Sequence, residues 1–198
     1  YTSPTPFGLL VIDSFSKLCA VEPLVDKKAV SWVEVFKKAF RTLGGKPKVV
    51  YSDPDSSMDS VRMDDYLRSQ GIQWIRTKQH AAIAERAIRT IKKKLYEKLE
   101  HLGLSLGRDV DWTRLLPEVS ATYNNVDKHR TIGMTPAEGA KEKNDFQVRT
   151  NLIIHSRRDR VYPEIKENDK AYVYNKTKIN DKQWKGAWGD TAEKIHSV

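Results

Sequence analysis

The sequence has one cysteine, Cys19, in 198 residues. A single thiol closes no internal disulfide and fits a reducing compartment, with Cys19 read as a small buried hydrophobe on a strand. Long apolar runs are missing too. Nothing approaches the ~18 apolar residues of a membrane span, and no basic-headed apolar stretch with a small-residue cleavage site opens the chain. Neither a membrane partner nor secretion is therefore expected. His80, His101, His129 and His155 have no ligand partners at metal spacing, which argues against zinc within this chain. There are no internal repeats and no low-complexity segments.

What is present is charge around a modest apolar fraction: 31% charged and 39% hydrophobic. That suffices for one core and a second small module. The net charge is +9 with a pI near 9.5, and its distribution is more informative than its size. From Ile75 to Lys94 there are seven basic residues, Arg76, Lys78, Arg86, Arg89, Lys92, Lys93 and Lys94, against one acid, Glu85. A lone acid in such a segment needs a reason, and a metal-binding carboxylate beside a phosphate-binding face supplies one.

Phe7 to Asp13 reads as a buried strand, with Lys17 to Leu24 as its hairpin partner across Ser14-Phe15-Ser16. Pro23 ends the second strand and Asp26 is a candidate cap for the next helix. Val33, Phe36, Phe40 and Leu43 recur at helical spacing until Gly44-Gly45. Lys48 to Ser52 is a short strand, Ser57 to Gln70 a helix stopped by Gly71, and Ile72 to Ile75 another strand. A long helix from about Ala81 to Leu99 carries the stripe Ala84, Ile88, Ile91, Leu95 and Leu99, and Trp112 to Asn124 gives one more. This order makes a mixed α/β layer fold over residues 1–150. Trp32, Trp74 and Trp112 sit in apolar patterns and read as core. Residues 151–161 read as a polar connection. From 162 to 198, Tyr- and Val-rich alternation to Tyr174, a turn at Asn168-Asp169, and Trp184 and Trp188 suggest part of a small β-barrel.

Two acids stand where chemistry wants them. Asp53 ends a strand, and Glu85 opens the long helix. The interval between them holds one helix and one strand, an excursion that can return the chain beside its start. Paired carboxylates suit hard divalent cations such as Mg²⁺, which keep positions open for phosphate oxygens and water. Two such ions stabilise the attacking and leaving oxygens of an in-line displacement. The bland readings stay beside these: Asp53 as a cap for the following helix with Ser57 or Asp55, and Glu85 as an i, i+4 partner of Arg89 worth about 0.3–0.5 kcal/mol. Lys92, Lys93 and Lys94 read blandly as a solvated face.

Ile12-Asp13-Ser14-Phe15-Ser16-Lys17, Ser52-Asp53, and Glu85-Arg86 with Arg89-Thr90 and Lys92 resemble the retroviral-type integrase core. The likeness is strongest to integrases of Polinton (Maverick) elements and gypsy-like retroelements. Tyr123-Asn124-Asn125 with His129, and Thr131 to Pro136, are similar to the segment after the third acid. Tyr162-Pro163 to Val173, with Trp188 and Ile195, is similar to the SH3-like domain that follows. The resemblance implies a ribonuclease H-like fold with a partial SH3-like barrel. It also implies Mg²⁺- or Mn²⁺-dependent DNA cleavage and strand transfer, with Asp53 and Glu85 as metal ligands. Arg86, Arg89, Lys92 and Lys93 would hold the phosphate backbone. Self-association and a nuclear setting follow from the same likeness.

In that family the first acid lies on the strand before the hairpin, which falls just ahead of Tyr1. Asp13 is not that acid and is expected to order its turn through Ser14 or Ser16. After Asp53 the usual Gly and aromatic are replaced by Pro54, Asp55, Ser56, Ser57 and Met58. The alternative is a domesticated, non-catalytic relative, a DNA- or RNA-binding or structural subunit such as one of a mitochondrial ribonucleoprotein.

Overall fold

Alternation along two strands divides the interior into two cores. In the computed structural model, which describes residues 5–53, 58–77, 81–106, 111–156, 164, 166–174 and 188–195, β1 (Phe7–Ile12) and β2 (Cys19–Leu24) pair antiparallel. Successive side chains point to opposite faces of a strand. Leu9, Val11 and Leu24 accordingly enter one apolar cluster, while Leu10, Ile12, Cys19 and Val21 enter another. The first cluster is closed by α1 (Ala29–Thr42) and α2 (Val61–Ser69) through residues such as Trp32, Phe36, Phe40, Met63 and Leu67. The second is closed by α3 (Ala82–Leu106) and α4 (Leu116–Ala121) through Ile91, Leu95, Leu99, Leu116 and Val119. Helices thus cover both faces of the hairpin, a layered α/β arrangement.

The strands β3 (Val49–Ser52) and β4 (Gln73–Arg76) pair in parallel with α2 as the crossover, Ser52 standing opposite Arg76. Val50 and Ile72 belong to the α1–α2 core, so both strand pairs share it. Among the described residues no ladder joins one pair to the other. Helices α1 and α2 end alike. Gly45 and Gly44 donate to the carbonyls of Phe40 and Arg41, as Ile72 and Gly71 do to Leu67 and Arg68. Each is the paired 6→1 and 5→2 closure that needs a left-handed residue, supplied by Gly44 at φ 85° for α1 and Gly71 at φ 68° for α2.

Several boundaries differ from the sequence reading, each for a local reason. Asp26 does not cap α1. Lys28 holds that position, and Asp26 instead accepts from the Lys28 amide at 3.0 Å and the Ser31 hydroxyl at 2.5 Å. The second helix starts at Val61 rather than Ser57 because Ser60 caps it, accepting from the Met63 amide, and Met58 is buried in the turn ahead of it. On α3 the buried stripe is Ala87, Ile91, Leu95 and Leu99, whereas Ile88 is 36% exposed. The segment after Trp112 is three pieces: a 3-10 turn over Trp112–Leu115, then α4, then a wide π turn over Thr122–Val126.

The β1–β2 turn behaves as expected of Asp13. Its carboxylate accepts from the Phe15 and Ser16 amides and from the Ser16 hydroxyl. The turn docks on the segment after the π turn: Phe15 packs with Ile132, Met134 and Val148. A Cβ on Gly139 would come 3.2 Å from the Ser16 carbonyl oxygen and 2.9 Å from Ile132. Any side chain there would crowd this contact on α5 (Pro136–Gly139), which opens with a Thr135/Glu138 capping box. The helix α6 (Asp145–Ser156) buries Val148 and runs on past residue 151, where the sequence reading begins its connection. The three tryptophans are buried or half-buried. Trp74 donates to the Ser52 hydroxyl and Trp112 to the Thr5 carbonyl.

Residues 158–198 form a separate unit. Within it β5 (Lys170–Tyr174) and β6 (Trp188–Lys194) pair antiparallel with an irregularity between Tyr172 and Tyr174. Asn168 at φ 70° makes the turn into β5, and its amide donates to the Ile195 carbonyl. Tyr162, Pro163 and Trp184 lie outside the described residues.

Candidate nucleic-acid interface and metal site

The parallel strand pair delivers Asp53 to the start of α3. Asp53 follows β3, and its Oδ1 accepts from the Ala81 amide at 2.6 Å and the Thr77 hydroxyl at 3.4 Å. The Glu85 amide in turn donates to the Ala81 carbonyl at 3.0 Å. Glu85 therefore sits one helical turn beyond the residue that Asp53 holds. The cap reading of Asp53 is corrected in its address: Ser60 serves α2, and Asp53 orders the chain entering α3. Thr77 and the Ala81 amide are parts of this arrangement that the sequence did not disclose.

Two oxygen donors at the ends of β3 and α3 suit Mg²⁺ or Mn²⁺ in kind. They are an incomplete set: among the described residues no group of three or more His, Cys, Asp or Glu converges on a metal position. Asp53 is half-buried and Glu85 exposed. Asp13 is committed to its own turn.

The basic excess from Ile75 to Lys94 divides into structural and available charges. Arg76 is structural: it lies 3.9 Å over the Trp74 ring and bonds Asp59 at 2.7 Å and Asp64 at 3.1 Å. Lys94 pairs with Asp127 at 2.9 Å, fixing α3 against the end of the π turn. Lys98, one turn on, pairs with Glu118 of α4 at 2.5 Å. Lys78 lies outside the described residues. Lys93 makes a long, exposed contact of 3.8 Å with Glu97, its one ion pair among the described residues. No ion pair among the described residues involves Arg86, Arg89 or Lys92, and Glu85 is not joined to Arg89. Residues 85, 89, 92 and 96 fall on one side of a 3.6-residue helix, so Arg89 and Lys92 share the exposed face of Glu85 and Tyr96.

Within electrostatic reach of Arg86 is a buried cation, Lys17, that composition did not single out. Lys17, 5% exposed and at φ 65°, donates its ammonium to the Ser14 carbonyl. Burial holds its pKa below the ordinary lysine value, Asp13 pushes back upward, and Arg86 lowers it again. His129 is held below the usual histidine value first by burial, then by Lys17 and Arg86. Its Nδ1 accepts from the Thr131 amide at 3.3 Å, which requires that nitrogen to be unprotonated.

The sequence matches no known domain-family profile. It is 24% identical over 138 residues to a retrovirus-related Pol polyprotein from transposon 297 of Drosophila melanogaster, covering 70% of this chain and 13% of that protein. A transposon-derived protein of Caenorhabditis elegans is 28% identical over 142 residues, 71% of this chain and 47% of its own length. The Gag-Pol polyprotein of walleye dermal sarcoma virus is 27% identical over 136 residues, 67% of this chain and 7% of its own. The chain thus spans less than half the length of each of these relatives. Among solved structures, the HTLV-2 integrase catalytic core domain superposes with a TM-score of 0.55 at 18% identity, over 66% of this chain and 81% of that one.

The fold is that of a retroviral integrase catalytic core. The BIV integrase core agrees, with a TM-score of 0.54 at 16% identity over 71% and 88% of the two chains. A chain of the simian T-cell lymphotropic virus intasome gives 0.60 at 14% identity over 94% and 61%. The mixed α/β, ribonuclease H-like class read from the sequence is the class observed. In this integrase-type core the interval from β3 to α3 brings Asp53 and Glu85 to neighbouring turns of chain.

Proposed function

We propose that this chain is the core of a mobile-element integrase, a polynucleotidyl transferase that grips DNA along α3 and contributes Asp53 and Glu85 to a divalent-metal site. One observation carries the reading. Asp53 is bonded to the backbone one turn before Glu85, beside a helix face whose Arg89 and Lys92 have no ion pair among the described residues. A divalent cation held by Asp53 and Glu85 would supply charge neutralisation at a phosphate. This chain's own residues orient and bind: the Ala81 amide fixes the Asp53 carboxylate, and Arg86, Arg89, Lys92 and Lys93 hold phosphates without reading bases. The similar HTLV-2 core was solved with magnesium in dimeric and trimeric forms, which supports Mg²⁺ and self-association here. A DNA substrate sets the work in the nucleus, and residues 158–198 would begin an SH3-like barrel.

A second reading, a non-catalytic DNA-binding relative, is favoured by one fact: Asp53 already spends an oxygen on ordering the start of α3. Titration with Mn²⁺ followed by NMR separates the two. The first reading expects paramagnetic broadening centred on Asp53, Ala81 and Glu85, lost in both Asp53→Asn and Glu85→Gln. Broadening that ignores these substitutions would leave the second.

A further inference from the structure

The segment that receives the β1–β2 turn closes on itself at one residue. The His129 amide donates to the Met134 carbonyl at 2.9 Å, and its carbonyl accepts from the Gly133 and Ile132 amides at 2.8 and 3.1 Å. The imidazole adds a fourth bond, accepting from the Thr131 amide at 3.3 Å. Gly133 makes the bend at φ 73°, and Asn151 of α6 donates to the Ile132 carbonyl at 2.7 Å. Ile132 and Met134, held in this way, are the residues on which Phe15 packs. One support of that docking is thus a ring nitrogen that must carry no proton.

The surroundings oppose the proton. Lys17 of the hairpin turn and Arg86 of α3 are the charges that act on the half-buried ring, and both are positive. Lys128 and Arg130 flank it in the chain, and Arg149 of α6 lies 5.9 Å over the Phe15 ring. The acids of the packed elements are committed elsewhere. Asp13 accepts from the Ser16 amide, Asp127 pairs with Lys94 at 2.9 Å, and Glu138 closes its capping box on Thr135. Glu85, next to Arg86, is exposed. A proton on Nδ1 would set one donor against another, the Thr131 N–H, among cations. An anion on Arg86, whose side chain is also exposed, would cancel one of the two charges acting on the ring.

We propose that His129 couples proton uptake to phosphate contact at Arg86. A duplex phosphate on Arg86 lets the ring take a proton from solvent. The protonated ring releases the Thr131 amide and loosens the loop beneath Phe15. Linkage is reciprocal, so a lower pH tightens duplex binding. The inference rests on the reading of Arg86 as a phosphate contact.

The test is an NMR titration of the whole chain, isotope-labelled at histidine, with EDTA present to exclude divalent ions. A saturating random-sequence duplex should raise the midpoint of the His129 ring titration by about one pH unit. Arg86→Gln should raise that midpoint in the free protein and remove most of the duplex effect. Exposed His101, on α3, should respond to the duplex alike in both proteins. Fluorescence anisotropy supplies a second readout. From about pH 7.5 to about pH 5.5, affinity should rise about threefold more in the natural sequence than in His129→Gln. A bound duplex that leaves the His129 midpoint unmoved overturns the inference. So does a rise that persists in full in Arg86→Gln, because it is then the general field of the duplex. Equal pH dependence in the natural sequence and His129→Gln overturns it too. A chain that binds no duplex refutes the α3 reading, and this inference with it.

Discussion

Asn124 shows how much one side chain can do. Its Nδ2 donates to the Cys19 carbonyl at 2.8 Å, and its Oδ1 accepts from the Cys19 amide at 3.0 Å. Asn124→Ala should therefore lower stability by about 1–3 kcal/mol, because it strands a donor and an acceptor beside a buried thiol; urea unfolding measures this directly. The thiol itself is pushed up to about 12 by burial and should resist iodoacetamide in the native state. His129 gives a pH signature. Its folded pKa is depressed, so below the ordinary value near 6.5 the unfolded chain takes up a proton first. Stability should then fall as pH drops from about 7 towards the depressed value, and His129→Gln should flatten that slope. Residue chemistry was legible in sequence where partners are close, as in the Asp13–Ser16 turn. It was not legible for Asn124, whose partners depend on how the hairpin and the π turn meet, nor for the burial of Lys17 within its own turn.

At the scale of elements, α3 is two helices in one. Its inner side is nailed down by Ile91, Leu95 and Leu99 and by Lys94 and Lys98, which pair with Asp127 and Glu118. Its outer side presents Arg89 and Lys92. Arg89→Ala with Lys92→Ala should weaken duplex binding and reduce the slope of log affinity against log salt by about 2, without loss of helix content. Lys94→Ala should do the reverse, lowering stability modestly while leaving that slope nearly unchanged. Fluorescence anisotropy across a salt series reads both. The length and amphipathicity of α3 were plain in the sequence. Its exact buried face was not, since Ile88 and Ala87 are adjacent and periodicity alone does not say which turns inward. The start of α2 was misplaced because Ser57 and Ser60 are both competent caps, and the choice falls to tertiary packing around Met58 and Met63.

Beyond single elements, the order hairpin, helix, strand, helix, strand, long helix sufficed to give a mixed α/β layer class, because that order survives errors in the individual bounds. The ribonuclease H-like class came from the family resemblance. Of the candidate site, the sequence named Asp53 and Glu85 as the acids of interest. The fold adds that Asp53 is bonded at the root of Glu85's helix; the metal role remains the proposal made above. Two acids leave a two-metal site one bridging ligand short, and unscreened they repel. Purified chain with Mn²⁺ and a pre-cleaved DNA end should accordingly give no joined product on a sequencing gel. Joining that vanishes with Glu85→Gln would refute that expectation and establish the enzyme.

The paired bonds of Asn124 have a consequence beyond stability. They occupy the N–H and C=O that β2 turns away from β1 at Cys19, which is what a third strand would otherwise do. An open strand edge is a template for other chains. Removing the amide that covers this edge at Cys19 uncovers its pairing groups, so the Asn124→Ala protein should aggregate in a concentration-dependent way even where it remains folded.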